Sequence, residues 1–372
     1  MKKVAIVLNT SWNIYNFRLK LLESLKDAGY DVTFVAPYDE YADKLQQMGF
    51  SYAPIVMNNK GANPIEDLNL TYQFYKIFKK EKFDIALLYT IKPNIYANFA
   101  ARLLNIPTIS TVTGLGTVFL NDALSSKIAK QLYKHSLKFS KQVLFQNHDD
   151  RELFVYNKLI QREKASYIPG SGIDTDRFKP SNVLRANAEP FRFLMVARLV
   201  KDKGLMEYLE ASKAIKSEFG ESVECMLLGE FYEGNPTAIT KDELRQYTNE
   251  NIVNYLGKSD EVQKLMEECD CVVLPSYREG LSRVLLEACA MQKPIITTNV
   301  PGCKDLVDNG VNGYLCEVKE VKSLQDAMKK TLSLSSSTLQ EMGEFSRQKV
   351  VKNFSTQIVV KQYLDTIASI LK

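Results

Sequence analysis

The chain has 372 residues, longer than one ordinary hydrophobic core organises, and its length suits two domains with a cleft between them. Its 45% hydrophobic and 25% charged residues make a globular composition, and no stretch approaches the roughly 20 consecutive apolar residues of a membrane span. The formal charge of +4 is uneven: residues 1–180 carry 24 Lys and Arg against 17 Asp and Glu, whereas residues 181–372 carry 24 against 27, so the basic surplus belongs to the first half.

Met1, Lys2 and Lys3 precede a short apolar run at 4–8 that ends in Asn9, Thr10 and Ser11 without a small-residue cleavage pattern, so it reads as a first strand and not as a signal peptide. Further β-rich runs at 32–36, 85–89, 108–112 and 143–145 alternate with helical patterns at 17–25, 41–48, 95–104, 128–137 and 153–159. That alternation predicts a parallel, doubly wound α/β sheet. A polar, proline-bounded stretch from Phe178 to Pro190 reads as a linker, giving a first domain over 1–180 and a second over 190–352. The rhythm restarts with apolar runs at 193–197, 225–228, 252–255, 271–274, 295–297 and 314–315 and helical patterns at 205–219, 262–268 and 283–291. Residues 353–372, with Ile358, Tyr363, Ile367 and Leu371 in helical spacing, are expected to return to the first domain. The six cysteines all lie in the second half and form no CxxC pair, which suits buried thiols in a reducing, cytoplasmic compartment.

The most informative segment runs from Cys271 to Ala288. A buried strand ends at Pro275, a loop carries Glu279, and a helix opens near Gly280 or Ser282. In a parallel sheet this loop sits at the carboxyl edge, where ligands bind. The backbone N–H groups of Gly280, Leu281 and Ser282, with the helix dipole, suit phosphate oxygens. Glu279 and Glu287, eight residues apart, suit sugar and ribose hydroxyls; the alternative is a pair of surface glutamates bracketing Arg283 in an exposed ladder. A second strand-to-helix loop brings Arg198 and Lys203 to the same edge, two cations suited to a departing diphosphate, against the alternative of a solvated basic loop.

Together Arg198 to Gly204 and Glu279 to Glu287 resemble the signature of the retaining family 4 glycosyltransferases of the GT-B fold, which consists of two Rossmann-like domains facing a cleft. The first half narrows the resemblance to the bacterial subgroup that builds capsule, O-antigen or protein-linked glycans on undecaprenyl diphosphate carriers: Asn9 to Trp12, Asn16 to Arg18, Tyr89 to Pro93, Thr111 to Phe119, Phe145 to Asn147 and Ile168 to Asp174 carry it. The resemblance implies a UDP-sugar donor, an N-acetylhexosamine or galactose as the sugar, and neither metal nor cofactor. By it Glu279 holds the donor sugar, Glu287 the ribose, and Arg198 and Lys203 the diphosphate, while uridine lies near Gly229, Glu230, Leu256, Gly257 and Pro275. Asn16, Arg18, Lys92, Thr113, Gly114 and Gly116 fall on the acceptor side. Many members carry a histidine in the loop where this chain has Thr113 to Gly116, and its only histidines are His135 and His148. The family's front-face reaction, in which the leaving phosphate takes the acceptor proton, does not require that base.

Asp174 and Asp176 match a metal-binding Asp-x-Asp of another fold but read as a turn and cap. Gly114 and Gly116 lack the third glycine of a dinucleotide fingerprint. The lysines concentrate at 76–82 (Lys76, Lys79, Lys80, Lys82) and at 125–141 (Lys127, Lys130, Lys134, Lys138, Lys141), which suits helices lying on an anionic membrane surface, the alternative being ordinary wet lysine faces. A nucleic-acid binder would account for these lysines but not for Glu279 and Glu287, so no nucleic-acid partner is expected. A nucleotide-sugar epimerase on the same fold and a non-catalytic sugar-nucleotide sensor are the rival functions; the first needs acid/base groups that this histidine-poor chain supplies poorly.

Overall fold

Strands buried on both faces need apolar residues at successive positions, and the runs read from the sequence have that character. The computed structural model describes residues 1–58, 63–115, 124–180, 190–232, 234–259 and 261–372, with the backbone alone at 124–126. The chain divides into two units, Met1–Ser171 with Thr356–Lys372, and Gly172–Ser355.

The first unit holds β1 (Lys3–Val7), β2 (Asp31–Ala36), β3 (Ser51–Pro54), β4 (Ile85–Tyr89), β5 (Thr108–Val112), β6 (Gln142–Phe145) and β7 (Ala165–Tyr167). All are parallel, in the order β3-β2-β1-β4-β5-β6-β7. Alternate residues serve opposite faces: Val4, Ile6, Ile85 and Leu87 join one core, Ala5, Val7, Ala86 and Leu88 another. Helix Ser11–Asp27 covers the first face, opened by Thr10, whose hydroxyl accepts from the Asn13 N–H. Helix Thr356–Leu371 shares that face through Val359, Tyr363 and Ile367, three buried side chains contributing about 1.5–3 kcal/mol each. The Tyr363 hydroxyl lies 2.8 Å from Thr111 Oγ1, and Gln362 Nε2 donates to Tyr167 O at 2.6 Å.

The second unit holds β8 (Phe191–Val196), β9 (Val223–Leu228), β10 (Asn254–Tyr255), β11 (Cys271–Leu274), β12 (Ile295–Thr298) and β13 (Gly313–Cys316). Its strands are parallel in the order β10-β9-β8-β11-β12-β13. The connections leave β8 toward one edge through β9 and return to β11 on its other side, so the switch point lies between the carboxyl ends of β8 and β11. β1 and β4 make the corresponding point in the first unit.

The unit boundary differs from the expected one, because residues 172–180 and 353–355 go with the second unit. Ile173 and Phe178 lie in its core, the Ile173 N–H donates to Phe354 O at 2.9 Å, and the Arg347 guanidinium donates to the carbonyls of Thr175 and Phe178. Most of the proposed linker, 181–189, lies outside the described residues. β3 and β7, not expected from the sequence, are short edge strands of 4 and 3 residues.

Candidate functional site

Two glycines bind the loops of the second sheet's switch point together. Gly204 (φ +72°) packs so tightly that a Cβ there would stand 1.9 Å from Pro275 O, and a Cβ on Gly302 (φ +75°) would meet Glu279 O at 2.4 Å. Any larger residue would force the loop after β8 away from the loop after β11, or that loop away from the one after β12. Backbone hydrogen bonds complete the seam: Tyr277 N–H to Asp202 O at 2.9 Å, Glu279 N–H to Pro301 O at 3.1 Å, and Ser282 N–H to Gly302 O at 2.9 Å.

Lys203 and Glu279 face each other across this seam as an ion pair, their side chains 19% and 15% exposed. Arg198 is exposed, with its guanidinium 4.8 Å from the centre of the Tyr232 ring. Helix Arg283–Ala290 starts behind its N-cap, Ser282. Glu287 accepts from Arg283 Nε at 2.8 Å, and Arg283 Nη1 donates to Gly172 O at 2.7 Å. Gly229, Glu230, Leu256 and Gly257 come to the same edge. Gly229 N–H donates to Gly257 O at 2.8 Å, Leu199 N–H to Glu230 O at 3.1 Å, and Leu256 N–H to Leu227 O at 2.8 Å. A Cβ on Gly229 would meet Ala197 O at 1.8 Å, so that position too is closed to side chains.

One expectation changes and one is refined. Glu279 stands in the loop before the helix, as expected, and pairs there with Lys203, while Glu287 lies on the helix and forms the i,i+4 pair with Arg283. Of the three N–H groups expected to meet phosphate, that of Ser282 is committed to Gly302 O, whereas Leu281 N–H has no acceptor among the described residues.

In the first unit Asn16 Nδ2 donates to Trp12 O at 2.9 Å. Arg18 is buried, with its guanidinium 4.7 Å from the Tyr89 ring centre, Nη1 donating to Phe17 O, and Nε without a hydrogen-bond partner among the described residues. Lys92 pairs with buried Asp67 at 2.8 Å, and Tyr96 donates to the other oxygen of that carboxylate at 2.7 Å. Thr113 and Gly114 (φ +124°) follow β5, while Gly116 lies outside the described residues. Neither histidine belongs to that loop: His148 stacks on Tyr167, and His135 Nδ1 lies 2.8 Å from Gln131 O. Asp174 Oδ1 accepts from the Asp176 and Arg177 N–H groups, which is a turn cap. All six cysteines are free and buried, and burial, with the Glu279 charge second, pushes the Cys303 thiol well up.

Sequence reasoning missed Glu207 and Tyr277, which meet at 2.7 Å, and Asp202, whose carbonyl accepts from Tyr277 N–H and Ser276 Oγ. Tyr277 stood inside the segment singled out, but nothing local pairs it with a residue 70 positions earlier.

Comparison with known proteins adds to this geometry. Residues 176–349 match the family model described as glycosyl transferases group 1, and residues 3–147 match that described as glycosyl transferase 4-like. The chain is 27% identical to the N,N'-diacetylbacillosaminyl-diphospho-undecaprenol alpha-1,3-N-acetylgalactosaminyltransferase of Campylobacter jejuni, over 100% of this chain and 99% of that protein. It is 26% identical to the UDP-Gal:alpha-D-GlcNAc-diphosphoundecaprenol alpha-1,3-galactosyltransferase of Escherichia coli, over 91% and 88%. The crystal structure of Anabaena Alr3699/HepE in complex with UDP superposes with a TM-score of 0.80 at 20% identity, covering 99% of this chain and 100% of that one, a likeness of fold.

Proposed function

We propose, since the chain belongs to the glycosyltransferases that the group 1 and 4-like models describe, that it moves a sugar from a UDP-sugar to a saccharide carried on undecaprenyl diphosphate. The sugar is an N-acetylhexosamine or galactose, the anomeric configuration is retained, and the product enters a bacterial surface polysaccharide or glycan. The two relatives named above, which transfer N-acetylgalactosamine and galactose to diphospho-undecaprenol-linked acceptors, support the donor and acceptor classes. The observation that carries the reading is the meeting of Lys203, Glu279 and the start of helix Arg283–Ala290 at the β8/β11 switch point.

On this reading the diphosphate lies against Arg198, Lys203 and the Leu281 N–H, so that cations and a helix N-terminus offset the charge it gains as it leaves. Glu279 accepts hydrogen bonds from donor-sugar hydroxyls. Glu287, held by Arg283 through Oε1, offers Oε2 to the ribose, and uridine rests against Gly229, Glu230, Leu256, Gly257 and Pro275. The bond from the anomeric carbon to the diphosphate oxygen breaks, the acceptor oxygen bonds to that carbon on the same face, and the acceptor's proton passes to the departing diphosphate. No side-chain base, metal or cofactor enters the scheme. Asn16, Arg18, Lys92, Thr113, Gly114 and Gly116 belong to the acceptor side.

No helix among the described residues is long and apolar enough to cross a membrane. A lipid-linked acceptor calls for attachment to the anionic leaflet on the cytoplasmic side. Lys127, Lys138 and Lys141 are exposed beside Ile128 and Phe139, which are 52% and 41% exposed, a mixture of cations and apolar groups that suits a lipid headgroup layer.

The test is UDP release from UDP-GalNAc, UDP-GlcNAc and UDP-Gal with and without a synthetic lipid-diphosphate saccharide, followed by NMR of the product's anomeric proton. Acceptor-dependent release with one donor and a retained anomer is the expected result. Interconversion of donor sugars without an acceptor would replace transfer with epimerisation, and an inverted anomer would remove the front-face scheme.

A further inference from the structure

Glu207 lies in the first turn of helix Leu205–Phe219 and is 8% exposed. Its Oε1 accepts from the Tyr277 hydroxyl at 2.7 Å, and its Oε2 is buried with no hydrogen-bond partner among the described residues. A carboxylate with half its hydrogen-bonding capacity unmet is an expensive occupant for a buried site, even with the helix dipole offsetting part of its charge. An apolar side chain of similar size would serve stability at least as well. What the carboxylate does achieve is to hold Tyr277, two residues before Glu279. The Tyr277 N–H is fixed on Asp202 O, and the Lys319 ammonium lies 4.9 Å from the ring centre, on a residue kept at φ +63°. Tyr277 is thus held at its main chain, its ring and its hydroxyl.

We propose that Glu207 and Tyr277 are positioning residues: their hydrogen bond fixes the entry of the loop that carries Glu279, and so sets where that carboxylate meets the donor sugar. This rests on the reading of Glu279 given above. Neither side chain need touch the substrate, and the effect passes through loop geometry, to which turnover is far more sensitive than binding.

The experiment compares Tyr277→Phe, Glu207→Gln and Glu207→Met in the full chain, measuring kcat, donor KM, UDP affinity and thermal midpoint. Tyr277→Phe should lower kcat by about 10- to 100-fold while donor KM and UDP affinity move by less than about threefold. Glu207→Gln, whose amide oxygen still accepts from Tyr277, should retain kcat within about threefold. Glu207→Met removes the acceptor together with the unmet buried charge, so it should melt no lower than the parent and still lose kcat as Tyr277→Phe does. Unchanged kcat in well-folded Glu207→Met, or a kcat loss in Glu207→Gln equal to that in Glu207→Met, overturns the proposal. Adding Tyr277→Phe to Glu279→Gln separates this inference from the reading beneath it. A further loss of about threefold or less supports action through Glu279, and full additivity refutes it. If Glu279→Gln alone leaves turnover intact, the role of Glu279 fails first and this inference with it.

Discussion

Replacing Glu279 with Gln should make the protein bind UDP more tightly while it turns over far more slowly. Without ligand, the Lys203 ammonium is engaged by Glu279, the two side chains only 19% and 15% exposed. A diphosphate that uses Lys203 must draw it from that carboxylate or share it. Unit charges about 4 Å apart at an effective dielectric constant near 20 attract by about 4 kcal/mol before desolvation. Fully exposed pairs retain about 0.2–1 kcal/mol. A pair mostly but not wholly withdrawn from water falls between these limits, at about 1–2 kcal/mol, which converts to an affinity gain of about 5- to 30-fold for UDP. The amide still accepts a hydrogen bond from Lys203, so the fold should hold. It cannot orient the sugar as the carboxylate does or offset oxocarbenium-like charge, so kcat should fall by about two to three orders of magnitude. Titration calorimetry with UDP and the UDP-sugar, beside steady-state turnover, reads both effects. Weaker UDP binding in the variant would show that Lys203 is not released to the diphosphate, and undiminished turnover would remove Glu279 from the reaction.

The other expectations follow from the same geometry. Arg198→Ala should change stability by no more than the roughly 0.5 kcal/mol usual for exposed positions yet lower kcat by about 100-fold, whereas Lys203→Ala, which removes the ion-pair partner of a mostly buried Glu279, should lower both stability and kcat; melting curves beside steady-state kinetics distinguish them. Gly204→Ala should destabilise the second unit by more than about 2 kcal/mol, because its Cβ would meet Pro275 O at 1.9 Å in a backbone at φ +72°, and chemical denaturation with a bound-UDP assay would register both the lost stability and the opened seam. Cosedimentation with anionic vesicles should fall steeply between low and high salt, and replacing Lys127, Lys138 and Lys141 by Gln should weaken it by about 1 kcal/mol per residue, while equal binding to neutral vesicles would leave those lysines as a solvated face.

Much of the fold was legible in the sequence because burial leaves a local record. Strands covered on both faces read as unbroken apolar runs, and their alternation with helical spacing allows little but parallel, doubly wound sheets; Val4 to Val7 and Cys271 to Leu274 are such runs. The loops of the candidate site were legible too, since Arg198, Lys203 and Glu279 follow strand ends that the periodicity locates, and Glu287 falls on the helix that comes next. Edge strands β3 and β7 were not, being too short to establish a period. Nor was the unit boundary, because Ile173 reads as part of the first domain and Phe178 as the start of a linker until the second core that receives them is assembled. The partners inside the site were the least legible. Lys203 meets Glu279 across 76 positions, Tyr277 meets Glu207 across 70, and the Ser282 N–H goes to a loop after β12. Periodicity reports which side of its own element a residue buries; which loop then faces it depends on strand order, and strand order is settled only when the sheet assembles around its switch point.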